Sequence, residues 1–272
     1  MSELKARIVS ALVLAAVVLT ATLAGGWLFA AVATMIAVIV WAEWLDMACP
    51  GCDDRIRLLG VVLLGLLFVG ALFLPNSGMA LAWAVATAAF VLAAMGFSGE
   101  KWSVAGFLYS GLTLVALIML RESGDAASGL IAILFLYAVV WATDIGAYFA
   151  GRAIGGPKIL PVVSPKKTWS GGIGGVISAI FAGIVVLAVA GVGSPGLAVI
   201  LAVVLSVVSQ IGDFFESWIK RRASVKDSSR NIPGHGGFMD RVDGLVFAAI
   251  VLWAMSLAGG GFERPSSAFF GG

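Results

Sequence analysis

Residues 8–47 read IVSALVLAAVVLTATLAGGWLFAAVATMIAVIVWAEWLDM, and this stretch decides the fold. It is an almost unbroken apolar run of about forty residues, and one α-helix of that length would be roughly 60 Å long. Because the hydrocarbon core of a bilayer is about 30 Å thick, a single helix would overshoot it about twofold. We therefore expect two spanning helices, with the chain breaking at Gly25 and Gly26.

The composition of the whole chain also indicates a membrane-embedded protein. Of the 272 residues, 61% are hydrophobic and only 12% are charged. Soluble domains carry roughly 25% charged residues, about twice the density found in this chain. The apolar runs are also longer than the roughly ten alternating residues of a barrel strand. These observations exclude a soluble enzyme, a disordered chain and an outer-membrane barrel, and a net charge of +2 gives no indication of a nucleic-acid partner.

The apolar runs predict an all-α, polytopic membrane protein with about nine transmembrane helices. The predicted spans are residues 8–24, 27–47, 56–75, 79–97, 103–121, 129–150, 171–191, 195–215 and 244–259. With connections on alternating sides, all 17 Lys and Arg residues except Arg121 and Arg264 fall on one side of the membrane. Because basic loops resist translocation, we expect that side to be cytoplasmic and to hold the N-terminus.

Two of the predicted cytoplasmic loops, residues 151–170 and 216–243, are longer and more polar than the other connections. A dense set of cations in the second loop fits several phosphate oxygens. It would also suit an anchor to anionic lipid headgroups, worth roughly 1 kcal/mol per basic residue. Interleaved acids weaken the lipid-anchor explanation, because they would oppose such an anchor and could instead bind a divalent cation. Within 24 positions the second loop carries Lys220, Arg221, Arg222, Lys226, Asp227, Arg230, His235, Asp240, Arg241 and Asp243.

Asp240 and Asp243 are three residues apart, so both carboxylates lie on one face if a helix begins there. Such a pair is a candidate Mg²⁺ site that keeps positions open for water and phosphate oxygens. The alternative is an acidic helix start favoured by the helix dipole. The preceding residues 233–237, PGHGG, favour the metal site, because glycines let backbone N–H groups approach a phosphate closely.

Further acids lie inside the predicted spans or at their ends. Asp213, Glu216 and Lys220 follow at i, i+3 and i+7 and form one stripe of a helix that leaves the bilayer. Carboxylates are costly in lipid, so Asp213 and Asp144 are candidate metal or substrate ligands. The structural alternatives are salt bridges, from Asp213 to a nearby lysine and from Asp144 to Arg152 or a loop lysine.

The first polar loop carries Ser164-Pro165-Lys166-Lys167-Thr168 directly before a glycine-rich helix start. Lysines followed by a hydroxyl group and a helix N-terminus are typical of anion sites, so we expect phosphate contact here. Gly171 and Gly175 also fit a small-residue packing face, and both interpretations can hold together. Small residues that would allow close packing also follow Asp144 in the sequence, namely Gly146, Ala147, Ala150 and Gly151.

Cys49 and Cys52 form a Cys-Pro-Gly-Cys segment at the cytoplasmic end of the second span. A redox pair or half of a zinc site would be the functional interpretation. No second pair of Cys or His residues exists in the sequence to complete a four-ligand zinc site. We therefore expect two free thiols in a reducing compartment.

The second loop reads Ser217-x-Ile219-Lys220-Arg221, then Lys226-Asp227-x-Ser229, then Ile232-Pro233-x-His235-Gly236-Gly237-Phe238-x-Asp240-Arg241-Val242-Asp243. This pattern resembles the signature of the phosphatidate cytidylyltransferases, or CDP-diacylglycerol synthases, and does not depart from it. The Asp144 segment and the loop at 164–168 resemble further features of that family, whereas the N-terminal third is similar only in being hydrophobic. The resemblance implies a reaction of CTP with phosphatidate that requires Mg²⁺, in a bacterial inner membrane and as a homodimer.

The resemblance also implies roles for particular residues. We expect residues 1–100 to form N-terminal transmembrane helices and residues 101–272 to form the transmembrane catalytic region. Ligands of one or two cations are then expected to be Asp240, Asp243, Asp213 and Asp144. Catalytic roles around the phosphates are implied for Asp240, Asp243, Lys220, Arg221, Lys226, Asp227, His235 and Arg241. Substrate contacts are implied for Ser164, Lys166, Lys167, Thr168, Ser217, Gly236 and Gly237.

Functions of other classes make different demands on the sequence. A cation-coupled transporter of an anionic solute could use Asp144 and Asp213, but it should have polar residues in the outer halves of several spans. Those halves are almost wholly apolar. A structural protein with a lipid-binding loop would leave the paired aspartates and the His-Gly-Gly turn unexplained. A phosphatidyltransferase that uses CDP-diacylglycerol would carry an Asp-Gly-x-x-Ala-Arg motif, which the sequence lacks.

Overall fold

A computed structural model describes residues 3–96, 101–122, 125–229 and 236–271, with the backbone alone for residues 3–9. Within these ranges the secondary structure is helical, apart from isolated β-bridges such as that between Lys158 and Thr168. The predicted all-α fold is therefore confirmed. The helices are α1 (Glu3–Ala24), α2 (Gly26–Ala48), α3 (Asp54–Phe73), α4 (Asn76–Gly96), α5 (Lys101–Arg121), α6 (Ala126–Ile154), α7 (Trp169–Ala190), α8 (Pro195–Arg222), α9 (Met239–Gly260) and α10 (Ser267–Phe270).

Eight of these helices, α2 to α9, are long and apolar enough to cross a membrane. They match the second to ninth predicted spans, so the chain is a multi-pass membrane protein. In α1 the apolar segment Ser10–Ala24 is shorter. The first of the nine predicted spans therefore stays a prediction.

At their C-terminal ends, α6 and α8 extend well beyond the apolar runs from which they were predicted. α6 continues to Ile154 and α8 to Arg222, whereas the predicted spans ended at residues 150 and 215. Hydropathy indicates where a chain leaves the bilayer, but a helix can continue into water through residues of good helix propensity such as Lys, Arg and Glu. As a result, Glu216 and Lys220 lie on the same helix as Asp213.

The chain packs as two compact units. The first comprises residues 1–122 and 222–242, and the second comprises residues 123–221 and 243–272. The first unit therefore contains α1 to α5 and residues 222–242 of the second polar loop, and the second unit contains α6, α7, α10 and most of α8 and α9. This division concerns packing, and the functional division predicted at residue 100 stays a prediction.

Aromatic rings form the core of the first unit and fix α2 within it. Phe107 on α5 stacks on Phe90 of α4, with ring centroids 4.3 Å apart, and lies edge-on to Trp41 of α2 at 6.1 Å. Trp41 is completely buried, and its Nε1 donates a hydrogen bond of 3.1 Å to the Arg57 carbonyl at the start of α3. A Cβ on Gly60 would lie 2.5 Å from the Trp41 ring, so α3 approaches α2 closely.

Arg121, at the end of α5, packs against the chain at the predicted break between α1 and α2. Gly25 has a φ of 65°, and a Cβ there would lie 2.5 Å from the Arg121 guanidinium. The Arg121 Nε donates a hydrogen bond of 2.8 Å to the Thr22 carbonyl in the last turn of α1. Arg121 is only 5% exposed, so it serves as a C-terminal cap for α1. In the predicted topology Arg121 lies apart from most other basic residues, and this structural role provides a reason for its position.

Replacing Arg121 by leucine is expected to lower the thermal unfolding midpoint of the detergent-purified protein. The change leaves the carbonyl oxygen of buried Thr22 without its charged donor, which costs about 1–3 kcal/mol. Tryptophan fluorescence during heating measures the midpoint. Arg264→Leu, at an exposed position, is the control and should leave the midpoint unchanged. Equal midpoints for both variants would show that Arg121 does not stabilise the α1–α5 contact.

In the second unit, α6 and α7 pack through the small residues that the sequence indicated. A Cβ on Gly175 would lie 2.9 Å from the carbonyl oxygen of Thr143, and one on Gly171 would lie 2.9 Å from that of Ala147. Backbones can approach this closely only where side chains are absent. The predicted packing face on α7 is therefore confirmed.

Cys49 and Cys52 follow α2 and are joined by a disulfide, with their Cα atoms 5.4 Å apart. The expectation of two free thiols was therefore wrong. The Cys52 N–H donates a hydrogen bond of 3.0 Å to the Cys49 carbonyl, and this tight turn brings the two side chains together.

Candidate active site

Three carboxylates meet in the second unit where α8 and α9 cross. Asp213 and Glu216 lie one turn apart on α8, and Asp243 lies near the start of α9, which begins at Met239, five residues before the predicted span 244–259. Ligand oxygens of the three residues lie within 4.8 Å of one another. The i, i+3 spacing on α8 directs two of the carboxylates toward the same neighbouring helix. We call these three residues the acidic group.

Two glycines allow α8 and α9 to approach closely enough to form the acidic group. Gly212 precedes Asp213 on α8, and a Cβ in its place would lie 2.6 Å from the Asp243 carbonyl oxygen. Gly244 follows Asp243 on α9, and a Cβ there would lie 3.2 Å from the carbonyl oxygen of Ser209. Each helix thus carries a glycine directly beside its acid, so the closest backbone approach coincides with the acidic group.

Two lysines lie against the acidic group. Lys167, from the loop before α7, forms an ion pair with Asp213, and its Nζ lies 4.5 Å from the centroid of the Phe214 ring. Lys220 donates a hydrogen bond of 3.0 Å to Glu216 on the same helix. The Glu216 side chain is 1% exposed, so water screens this pair little. The salt bridge from Asp213 to a lysine, one of the two alternatives, is therefore present. The same Asp213 carboxylate also belongs to the acidic group.

The chemistry of the acidic group fits a hard divalent cation. Mg²⁺ and Ca²⁺ take oxygen ligands, and three carboxylates within 4.8 Å provide them from two adjoining helices. Carboxylates this close repel one another, and a cation between them relieves that repulsion. Among the residues that the structure describes, the group does not include Asp240 or Asp144, whereas it includes Glu216, which was not predicted as a ligand.

The first polar loop, which precedes α7, forms a short hairpin closed by backbone hydrogen bonds. The Ile159 N–H donates to the Lys167 carbonyl at 3.1 Å, which fixes the backbone at the lysine that pairs with Asp213. Thr168 is buried, and its hydroxyl accepts a hydrogen bond of 3.2 Å from the Gly171 N–H as the N-cap of α7. The Thr168 hydroxyl therefore serves the helix start. The other predicted substrate contacts on this loop are exposed or half-buried, namely Lys166 and Ser164.

Asp240 organises the second polar loop within the first unit. Its Oδ2 accepts hydrogen bonds from the Ser228 N–H at 3.0 Å, the Ser228 hydroxyl at 3.1 Å and the Gly237 N–H at 2.9 Å. Gly236 has a φ of 83°, and a Cβ there would lie 2.8 Å from the same oxygen, so this turn requires glycine. One oxygen of this predicted ligand is thus committed to the loop, and metal binding by Asp240 stays a prediction.

The remaining predicted residues of the second polar loop lie at the surface or outside the described residues. Those exposed are Arg221, Lys226, Asp227 and Arg241, and Ser217 is half-buried. Arg222, which was not among the predicted site residues, lies 4.5 Å from the centroid of the Trp102 ring and contributes to packing. His235 lies outside the described residues.

Two intramembrane acids differ in their surroundings. Asp144 is exposed on α6, and its role as a ligand stays a prediction. Glu43, which was not among the predicted site residues, is 1% exposed on α2. Its signal was present in the sequence, because a carboxylate inside an apolar span is by default a candidate for function.

The chain belongs to the cytidylyltransferase family, whose sequence profile matches residues 5–258. Relatives that match nearly the whole chain indicate a narrower group within this family. The chain is 43% identical over 273 residues to a phosphatidate cytidylyltransferase of Brucella suis, with 99% of each chain covered. It is 32% identical over 259 residues to a phosphatidate cytidylyltransferase of Staphylococcus haemolyticus, with 92% of this chain and 97% of the relative covered. The predicted family resemblance is confirmed, and the transporter alternative receives no support.

Proposed function

We propose that this protein transfers the CMP moiety of CTP to phosphatidate, forming CDP-diacylglycerol and pyrophosphate. The observation that carries this proposal is the acidic group with Lys167 and Lys220 against it, in a chain whose full-length relatives are phosphatidate cytidylyltransferases. An anionic ligand that binds together with a cation needs acidic side chains for the cation and basic side chains for its own oxygens. The protein is accordingly a nucleotidyltransferase of phospholipid synthesis.

The chemistry of this reaction explains why the site is rich in charge but poor in general bases. The nucleophile is the phosphate monoester of phosphatidate, whose second pKa is about 6, so it is mostly dianionic at neutral pH. One of its oxygens attacks the α-phosphorus of CTP, and the bond from that phosphorus to the bridging oxygen of pyrophosphate breaks. Since no proton has to be removed from the nucleophile, a sequence with a single histidine is no obstacle.

The protein's own task is to bring two polyanions together and to stabilise the charge that develops on their oxygens. Lys167 and Lys220 would do so beside the acidic group. The exposed cations Arg221, Lys226 and Arg241 would neutralise further phosphate oxygens, with His235 as a predicted hydrogen-bond donor. Additional phosphate contacts are proposed for Ser164, Lys166, Ser217, Gly236 and Gly237.

The acidic group would hold a divalent cation, and Mg²⁺ is the ion that we propose. Bound there, it would supply charge neutralisation and a template for in-line displacement. Asp240 and Asp144 are each proposed as a further cation ligand. The oxygen donors of Asp213, Glu216 and Asp243 support the assignment of the first cation.

We further propose that the protein lies in a bacterial inner membrane as a homodimer, with α1 as a ninth span and the active site facing the cytoplasm. The one-sided distribution of Lys and Arg supports this orientation. In that orientation CTP reaches the site from the aqueous side, while the acyl chains of phosphatidate remain in lipid. Both substrates can therefore meet at the inner leaflet.

A transfer assay with the purified full-length protein tests the proposed function. The protein in detergent is incubated with phosphatidate, Mg²⁺ and CTP labelled at the α-phosphate. Label is expected to move into an organic-soluble CDP-lipid, and chelation of Mg²⁺ should stop the transfer. Transfer only to a different acceptor lipid would change the substrate assignment, and no transfer to any phosphorylated lipid would overturn the proposal.

A further inference from the structure

Among the described residues, four hydrogen bonds tie Glu43 on α2 to the second polar loop, although Glu43 lies far from that loop in the sequence. Its Oε1 accepts from the Ser229 hydroxyl at 2.6 Å and from the Phe238 N–H at 3.0 Å. Its Oε2 accepts from the Ser228 hydroxyl at 3.2 Å and from the Met239 N–H at 2.8 Å. All of these residues belong to the first unit. Both oxygens of one buried carboxylate are therefore used to hold this loop.

Two of these donors are the backbone N–H groups at the start of α9. The first N–H groups of a helix have no partner within the helix, and a negative charge near them is favoured by the helix dipole. Glu43 supplies both the acceptor and the charge from a different helix. Because α9 begins at Met239, Glu43 fixes the position from which Asp240 projects.

The other two donors are the hydroxyl groups of Ser228 and Ser229, which lie earlier in the same loop. The Ser228 Oγ lies 3.2 Å from Glu43 Oε2 and 3.1 Å from Asp240 Oδ2, so this serine links the two carboxylates. A Cβ on Gly237 would lie 2.7 Å from Glu43 Oε2 and 2.9 Å from the Ser229 Oγ, which leaves room only for glycine. Glu43 and Asp240 together therefore hold both ends of the segment that contains His235.

The position of Glu43 on α2 suits it to this task. Trp41 and Trp44 flank Glu43 on the same helix and are buried in the aromatic core. The Trp44 Nε1 donates a hydrogen bond of 2.7 Å to the Trp102 carbonyl. The carboxylate therefore projects from a rigid support. A glutamine of the same size would offer one acceptor oxygen instead of two, and its amide nitrogen would face N–H and O–H donors.

We propose that Glu43 is a positioning residue for the CMP transfer: it holds residues 228–229 and 238–239 of the second polar loop in the arrangement that the substrates require. This inference rests on the proposed function. It assigns Glu43 no contact with either substrate. It also gives α2 a part in the reaction, in the region of the chain where the family resemblance was weakest.

Glu43→Gln is expected to lower kcat about tenfold or more and to raise KM for CTP, since small displacements of binding groups are costly. Hydrogen exchange of the Phe238 and Met239 amides should become faster in this variant. Asp46→Asn is the matched control, because Asp46 lies one turn further along α2, is exposed and pairs with Arg57. The control should retain wild-type kinetics and amide exchange.

Ser229→Ala provides a second variant that keeps the buried carboxylate intact. It removes one of the four hydrogen bonds and is expected to lower kcat/KM severalfold. In the Glu43→Gln background the same change should cause little further loss, because both variants remove the same contact. Glu43→Asp, which keeps the charge on a shorter side chain, should recover part of the activity of Glu43→Gln.

The outcomes separate this inference from the proposed function. If the wild-type protein makes CDP-lipid and folded Glu43→Gln has unchanged kcat, KM and amide exchange, the inference is overturned and the function stands. If Glu43→Gln lowers only the thermal midpoint, with wild-type kinetics per folded molecule, Glu43 is purely structural and the inference is again overturned. If the wild-type protein makes no CDP-lipid, the proposed function fails and takes the catalytic part of the inference with it.

Discussion

Replacing Asp243 by asparagine is expected to lower the rate of CMP transfer about a hundredfold while the protein stays folded. Asparagine keeps the size of the side chain but removes the charge that a hard cation prefers in its ligands. The acidic group would then hold two carboxylates against Lys167 and Lys220, so little net negative charge would remain to attract Mg²⁺. The measurement is a titration of transfer rate against Mg²⁺, in which the half-saturating concentration should rise.

Asp125→Asn is a suitable control for the loss of an acid. Asp125 caps α6, and hydrogen bonds from the Ser128 hydroxyl and from backbone N–H groups lower the pKa of its carboxyl below the ordinary value. Asparagine is an equally good N-cap, so this variant should transfer CMP at the wild-type rate. Near-normal transfer by Asp243→Asn at an unchanged Mg²⁺ requirement would rule out Asp243 as a metal ligand.

The same titration distinguishes the two aspartates at the start of α9. Asp240→Asn is also expected to lower transfer about a hundredfold, because three hydrogen bonds to its Oδ2 hold the loop. If Asp240 acts only through the loop, the Mg²⁺ requirement of this variant should stay at the wild-type value. A raised requirement would instead support its predicted role as a ligand of a second cation.

Gly212→Ala is expected to lower CMP transfer by more than tenfold, although a methyl group adds no charge. A Cβ at this position would lie 2.6 Å from the Asp243 carbonyl oxygen, so α8 and α9 would have to separate. Separation would spread the acidic group, and overpacking of this kind typically costs about 1–3 kcal/mol of stability. Transfer rate and thermal midpoint measured on the same preparation would report both effects.

Gly196→Ala is the matched control on the same helix. A Cβ on Gly196 would have its nearest neighbour at 3.9 Å, so alanine fits without displacement. Because alanine favours helix over glycine by about 1 kcal/mol, this variant should be at least as stable as the wild-type protein and equally active. Equal activity of Gly212→Ala and Gly196→Ala would show that the close crossing at Gly212 is not needed for the reaction.

The membrane-spanning part of the fold could be predicted because hydropathy depends only on which residues occur in a run. The break at Gly25 followed from the same reasoning, since helix length is limited by bilayer thickness. The ends of α6 and α8 could not be predicted in this way. Their last turns are polar, and a polar segment next to the membrane is equally compatible with helix and with loop.

The candidate site was predictable as a set of residues but not as a set of contacts. Spacing placed Asp213 and Glu216 on one stripe of a helix, but it could not show that Asp243 lies opposite them. That contact depends on Gly212 and Gly244, whose importance becomes visible only when two helices are brought together. Likewise, the sequence could not show that the Thr168 hydroxyl caps α7, because an N-cap and a phosphate contact use the same atom.

The four hydrogen bonds to Glu43 also bear on how this enzyme can be recombined with its relatives. A chimaera that takes α2 from one parent and residues 228–239 from another would keep every span and every predicted ligand. Unless the two parents agree at the acceptor and at its serine and glycine partners, such a hybrid should insert normally and yet be catalytically poor. Boundaries for domain exchange are therefore better drawn so that both segments come from the same parent.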